Sequence, residues 1–335
     1  MVAAPEPVFV GVAPPRWRWY EIAFWLAPVP AFFLLSDRRV LLSQIFVYGL
    51  LALSLDLVLG YAGILSLGHA AFFGTGAYTA GLLARHGWTE PLSGLVAAWA
   101  ASSALGYAVS GLVVRGADLS RLMVTMGIGL LLFETANQAS SITGGVEGLA
   151  DMQPARLFGR FGFALDGTTA CVYSFAVLAL VFVLARRLTA SPFGLSLRAI
   201  RENPARMPAL GVNVARRLRA IFALAAGIAG VAGAVLAQTT QFVGIETLSF
   251  QRSAELLIML VLGGTGRLYG GLLGATVFIL AQDYLSGISP EYWQFWLGAV
   301  LAALVLVARG GLLGALAGVL AGARRLAKRK PWPAR

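Results

Sequence analysis

Gly60 to Gly81 reads GYAGILSLGHAAFFGTGAYTAG. The stretch is apolar enough to enter a membrane, yet it carries six glycines, a histidine and several hydroxyls. A glycine in a helix interior is disfavoured by about 1 kcal/mol relative to alanine, so a helix facing only lipid gains nothing from six of them. They make sense where helices pack closely, or where a helix breaks beside a polar path inside a larger bundle. The rest of the chain supplies that bundle. Of 335 residues, 58% are hydrophobic and 12% charged, against a charged share of roughly 25% in an average soluble protein.

A membrane span takes about 20 mostly apolar residues. Candidate spans are 21–35, 40–59, 66–84, 92–114, 120–139, 169–188, 219–238, 250–265, 270–287 and 292–309. The alternating ten-residue segments of a membrane barrel are absent, so packed helices are the default. The expected fold is an all-α polytopic membrane protein, a bundle of about ten transmembrane helices. Residues 1–20 read as a Pro-rich, disordered leader, 21–309 as the bundle and 310–335 as a basic tail. The run from Ile22 to Leu35 lacks a small-x-small cleavage site and reads as a short first helix rather than a signal peptide. The single cysteine, Cys171, excludes an intrachain disulfide framework and a Cys-based metal site.

Net charge is +11, but the positions of the charges matter more than their sum. Arg186 to Arg219 holds eight arginines and one acid, Glu202, and the chain from Arg309 onward holds seven basic residues and no acid. The positive-inside rule places both in the cytoplasm, where the tail meets anionic lipid rather than nucleic acid. Four expected spans separate the two segments, the even number this requires, and six precede the first, which puts the amino terminus inside as well. Asp37-Arg38-Arg39 breaks the pattern by falling outside. The longest extracytoplasmic segment is then Ser140 to Thr168.

The chain has no GxxxxGK[ST] string with which to hold nucleotide phosphates. Its nearest imitation, GGTGRLYGG at Gly263 to Gly271, reads instead as a tight cytoplasmic turn, with Gly266, Gly270 and Gly274 spaced for close helix contact. HExxH and GxSxG are absent and the only histidines are His69 and His86, which leaves no metal site and no Ser–His relay to expect. His69 reads as a hydrogen-bonded structural residue at the start of a span. Among the ionisable residues within spans are the acids Asp56, Glu134 and Glu255, and a proton-coupled carrier would ordinarily bury more such groups near mid-membrane. Asp56 either faces a polar path or is solvated near the end of its span. In the loop from Leu195 to Ile221, Leu195, Arg198, Ala199 and Glu202 form one face of a short helix. Asn203-Pro204 interrupts it, and Ala209-Leu210-Gly211 closes a second turn. Such a helix lies on the membrane surface or docks into a partner protein.

Four stretches in order resemble one family, the longer permease type of the branched-chain amino acid ABC importers. They are Asp56 to Gly63 followed by Leu65 to Gly74; Thr143-Gly144-Gly145 with Gly148-Leu149; Arg198 to Asn203 with Ala209-Leu210-Gly211; and Arg252 to Leu257 with Gly263, Gly264, Gly266 and Gly270. The resemblance implies an ABC importer permease working by alternating access. It carries over Asp56, Gly60, Gly63, Ser66, Gly68, His69, Thr143, Gly144 and Gly145 as substrate path or hinge. It carries over Arg198, Arg201, Glu202, Asn203, Leu210 and Gly211 as the coupling element for a separate cytoplasmic ATPase. That ATPase hydrolyses the ATP, so the chain needs no cofactor. A second permease subunit in a heterodimer and an extracytoplasmic binding protein complete the system in a bacterial inner membrane. The family also contains importers of urea and short-chain amides, and a secondary carrier is the rival class. Met207-Pro208 departs from the family pattern by adding a second proline to the coupling loop.

Overall fold

The apolar run Arg39–Asp56 contains no proline and forms the central helix of the bundle, α3. In a computed structural model, residues 19–116, 118–150, 152, 162–163, 167–288, 290–299, 311–312 and 314 are described. Two short helices precede α3: α1 (Trp19–Leu26) and α2 (Pro28–Leu34). After it come α4 (His69–Arg85), α5 (Pro91–Val113), α6 (Asp118–Gln138), the single turn α7 (Ser140–Thr143) and α8 (Thr168–Ala190). Then follow α9 (Pro192–Glu202), α10 (Val214–Thr240), α11 (Phe250–Gly263) and α12 (Leu268–Ile288). The described residues form no β-strand pairing beyond one isolated bridge, Leu149 with Val243.

Burial sorts the helices into centre and rim. The spans containing α3 and α10 are 83% and 72% buried, whereas that of α6 is 17% buried. A helix apolar all round needs cover all round, and α3 and α10 receive it from protein while α6 leaves Leu119, Met123 and Leu131 outward for lipid or a partner. α10 packs most extensively on α5 and α4, and α12 lies against α3 and α11. The α4–α10 crossing accounts for Gly76, one of the six glycines between Gly60 and Gly81. A Cβ on Gly76 would overlap the backbone of Gly230, and one on Gly233 would overlap the carbonyl of Phe73. Only glycine lets the two backbones touch, the packing mode of small residues in membranes.

The bundle has two ends. Tyr173 of α8 donates to Gln238 of α10 at 2.6 Å, and Gln238 donates to the carbonyl of Pro91 at the start of α5 at 2.9 Å. These ties mark the far end. α9 and the loop to α10 mark the other, here called the α9 end.

Among the described residues, six helices are long and apolar enough to cross a membrane: Ser36–Tyr61, Pro91–Val113, Leu119–Gln138, Thr168–Ala190, Val214–Thr240 and Leu268–Ile288. They fall short of the ten expected, for reasons local to each missing one. The first expected span, 21–35, is broken at Ala27-Pro28, because proline removes a helix N–H and crowds the preceding turn. Even so, Glu21 pairs with Arg186 near the end of α8 at 2.9 Å, and Arg39 bonds Thr168 at its start at 2.8 Å. The broken helix therefore runs the length of α8, about 27 Å at 1.5 Å per residue. The expected spans 66–84 and 250–265 become the shorter helices α4, which starts at the buried His69, and α11. Span 292–309 lies largely outside the described residues, of which 293–299 are helical. The leader and the basic tail also lie outside them, apart from residues 19–20, 311–312 and 314.

Candidate functional site

At the α9 end, α3 does not stop cleanly. Its last residue, Asp56, is followed by a π-helical turn, Leu57–Tyr61, and then by irregular backbone to Gly68. Asp56 is fully buried, so its carboxylate needs donors, and the Gly266 N–H in the α11–α12 turn supplies one at 2.7 Å. Its other oxygen has no hydrogen-bond partner among the described residues. Gly60 sits in the same crowded space, where a Cβ would strike both Asp56 and the backbone of Gly266.

The helix α9 is keyed into this break. Ser191 caps it, Pro192 occupies its first position, and Gly194, Leu197 and Ile200 turn inward. Arg201 donates to the Gly60 carbonyl, and its stem lies 3.0 Å from where a Gly63 Cβ would be. The Arg198 guanidinium stacks 4.9 Å from the Tyr61 ring centroid. The remaining residues expected for coupling face outward: Glu202 is exposed, Asn203 ends the helix, and Leu210 is 73% exposed beside Gly211. The second proline of the loop causes no distortion. Pro208 opens a 3-10 turn, Pro208–Leu210, and the buried Met207 anchors it.

Deeper in the bundle, the irregular segment turns back and α4 begins at His69. Unpaired backbone in a hydrocarbon layer costs several kcal/mol per group, so such a segment survives only where protein satisfies it. Leu67 N–H donates to Thr125 of α6 at 3.2 Å, and Ala70 N–H to Ser253 of α11 at 3.0 Å. His69 Nε2 lies 2.9 Å from Ser54 Oγ, whose own hydrogen goes to the Leu51 carbonyl at 2.6 Å. The imidazole is therefore the donor in that pair, and Nδ1 is left as a buried acceptor with no partner among the described residues. Gly68 packs directly on the Thr125 carbonyl, and the buried Ser66 hydroxyl is likewise unpaired.

Thr143, Gly144 and Gly145 stand at the far end, away from these residues. The Thr143 hydroxyl donates to the Ala136 carbonyl at 2.6 Å and accepts from Gly145 N–H at 3.2 Å, which ends α6 in a tight knot. Leu149 pairs with Val243 through N–H to O distances of 2.8 and 3.0 Å, tying the knot to the linker between α10 and α11.

A second polar site was missed in the sequence. Gln44 and Tyr48 of α3, Arg252 of α11, and Gln282, Asp283 and Ser286 of α12, with Leu41 and Ile279, line a cavity of about 280 Å³ in the far half of the bundle. Arg252 pairs with Glu255 at 2.7 Å and lies 5.4 Å from the Tyr48 ring centroid. Arg38 pairs with Asp283 at 2.6 Å at the rim, so the positive turn Asp37-Arg38-Arg39 that breaks the charge pattern is tied down by α12 and α8. The available signal was spacing: Gln44 and Tyr48 are polar residues one turn apart in an apolar helix, as are Gln282 and Ser286. Glu255 lies in the second turn of α11.

Six long apolar helices, a helix keyed to a break in the central span, and a polar cavity in the opposite half make this an integral membrane protein built for transport. The comparisons agree. The family model described as "Branched-chain amino acid transport system / permease component" matches residues 40–305, and the chain belongs to that family. It is 31% identical over 293 residues to the high-affinity branched-chain amino acid transport system permease protein LivM of Salmonella typhimurium and to that of Escherichia coli, covering 80% of this chain and 68% of each relative. It is 25% identical over 289 residues to the permease protein LivH of Escherichia coli, covering 80% of this chain and 91% of the relative. No solved structure matches.

Proposed function

We propose that this chain is a permease subunit of an ATP-driven importer of branched-chain amino acids, and that a separate cytoplasmic ATPase seats on α9. The observation that carries the proposal is the joint between Arg201 and Gly60: the exposed helix is bonded directly to the break in the central span. A push on α9 thereby reaches Asp56, the α11–α12 turn and the buried start of α4. The exposed Arg198, Glu202 and Leu210, with the half-buried Asn203 at the end of the helix, form the contact face, because they set charged, polar and apolar groups on one short rigid element.

In this reading the α9 end is cytoplasmic and the far end extracytoplasmic, in a bacterial inner membrane. The knot at Thr143 to Gly145 then faces the substrate-binding protein. The broken first helix and the shorter α4 and α11 count with the six long helices, and with the segment after 290, toward about ten membrane passages, with both termini cytoplasmic. A second, different permease subunit completes the path. The test is reconstitution of the chain with its ATPase, second permease and binding protein in liposomes. Uptake of leucine that requires ATP and the binding protein and is blocked by vanadate supports the proposal. Uptake driven by an ion gradient through this chain alone overturns it, and selective uptake of urea or amides replaces the substrate.

A further inference from the structure

We propose that the polar cavity between α3, α11 and α12 is a binding site for the head group of a free amino acid, a carboxylate next to an ammonium, during its passage. This rests on the permease reading above and adds to it a place where the solute is held.

An arginine and a glutamate within a membrane bundle cost a few kcal/mol each unless paired or hydrated, and they mark solute pathways. Arg252 and Glu255 are paired at 2.7 Å, but they are not sealed: their side chains remain 24% and 17% exposed, and Arg252 lines the cavity. A guanidinium carries five N–H donors. One goes to Glu255, and no hydrogen bond from the rest of the group to another described residue is seen. Tyr48 and Gln44 stand beside it with a hydroxyl and an amide that likewise show no hydrogen bond among the described residues. That wall is rich in donors and suits a carboxylate. Across the cavity, Asp283 uses one oxygen to hold Arg38, which leaves the other as an acceptor for an ammonium group.

Size and position agree. Pockets for drug-sized ligands measure roughly 300–1,000 Å³, and a cavity of about 280 Å³ suits a smaller solute. Leu41 and Ile279 give it an apolar patch for a hydrocarbon side chain. The cavity lies in the far half, whereas the joint that α9 works on lies at the other end, so a solute held here waits above the moving part.

The test uses the complete reconstituted transporter and two readouts. In the first, Tyr48→Phe and Gln44→Ala, which leave the ion pair intact, each lower ATP-driven leucine uptake by about three- to tenfold, and Arg252→Gln lowers it by about ten- to a hundredfold. The same variants assemble with their partner subunits in normal amount, which separates loss of the site from loss of the fold. In the second, Gln44→Cys in a Cys171→Ser chain is labelled from the extracytoplasmic side by a charged thiol reagent. Free leucine at millimolar concentration slows that labelling several-fold, whereas leucinamide, which lacks the carboxylate, does not. Equal effects of leucine and leucinamide, or unchanged uptake in Tyr48→Phe and Gln44→Ala, overturn the site while leaving the permease reading intact. Failure of the unmodified complex to import leucine overturns the substrate reading and this proposal with it.

Discussion

Arg201, on the exposed helix α9, donates a hydrogen bond to the carbonyl of Gly60, where the central helix α3 breaks. The two residues lie 141 positions apart in the chain, yet they join the surface of the protein to its most buried helix. Truncation at Arg201→Ala removes a charged donor and leaves the carbonyl without it. Because α9 is held independently by Leu197 and Ile200, the chain should insert and fold, with transport falling by about tenfold or more relative to ATP turnover. The ratio of solute imported to ATP hydrolysed in proteoliposomes checks this, and an unchanged ratio removes the joint from the mechanism.

Glu202 is exposed and makes no bond to the described residues, so a change there should be silent for folding. Glu202→Arg should give normal amounts of protein in the membrane and an unaltered thermal unfolding profile, yet lose ATP-driven uptake through repulsion or misfit at the proposed ATPase contact. Normal uptake in that variant would reassign the contact face.

Asp56 offers a test of geometry against charge. Asparagine retains an oxygen that can accept from Gly266 N–H, whereas alanine leaves that buried donor unpaired, at a cost of about 1–3 kcal/mol. Asp56→Ala should therefore unfold at clearly lower temperature than Asp56→Asn, measured on the purified protein in detergent. Equal losses would mean that the negative charge, not the hydrogen bond, holds the α11–α12 turn.

The glycines divide into those that touch backbone and those that touch nothing. Gly233→Ala places a methyl group against the Phe73 carbonyl and must push α4 from α10, an overpacking cost of about 1–3 kcal/mol. Gly127→Ala, on the outer face of α6 with open space around it, should be neutral or gain up to about 1 kcal/mol from helix propensity. Thermal unfolding of the pair decides, and a destabilised Gly127→Ala would show that this face is covered in the assembled protein.

The sequence showed the bundle because apolar length is a one-dimensional property, and α3, α5, α6, α8, α10 and α12 all fall where the runs of apolar residues lie. It left open whether the glycines mark close packing or a break, and whether Asp56 is solvated, and the structure shows both uses of glycine and a fully buried Asp56. It could not show that α4 begins at His69 rather than at Ser66. That boundary is set by Thr125 and Ser253, which bind the incoming backbone from elsewhere in the chain. The pairing of Asp56 with Gly266 spans 210 positions and leaves no periodic trace. The cavity was hidden for a related reason: each of its three helices contributes only one to three polar residues, and no single helix looks like a site. Arg252 and Glu255 were visible as a motif, but their depth depends on α11 being a half-length helix, which hydropathy does not reveal.

The order in which the chain is made adds a consequence to the irregular segment before His69. Its backbone amides are satisfied by side chains synthesised later, the most distant being Ser253, 183 positions beyond Ala70. At about 5–20 residues per second, the ribosome needs roughly 10 to 40 s to reach that serine. Throughout that interval the start of α4 has no complete set of partners, so it has to wait in a wet or chaperoned setting. The irregular segment is thus among the last parts of the protein to close, and a translation arrest just before Ser253 should leave residues 62–70 open to protease or to a thiol label placed there.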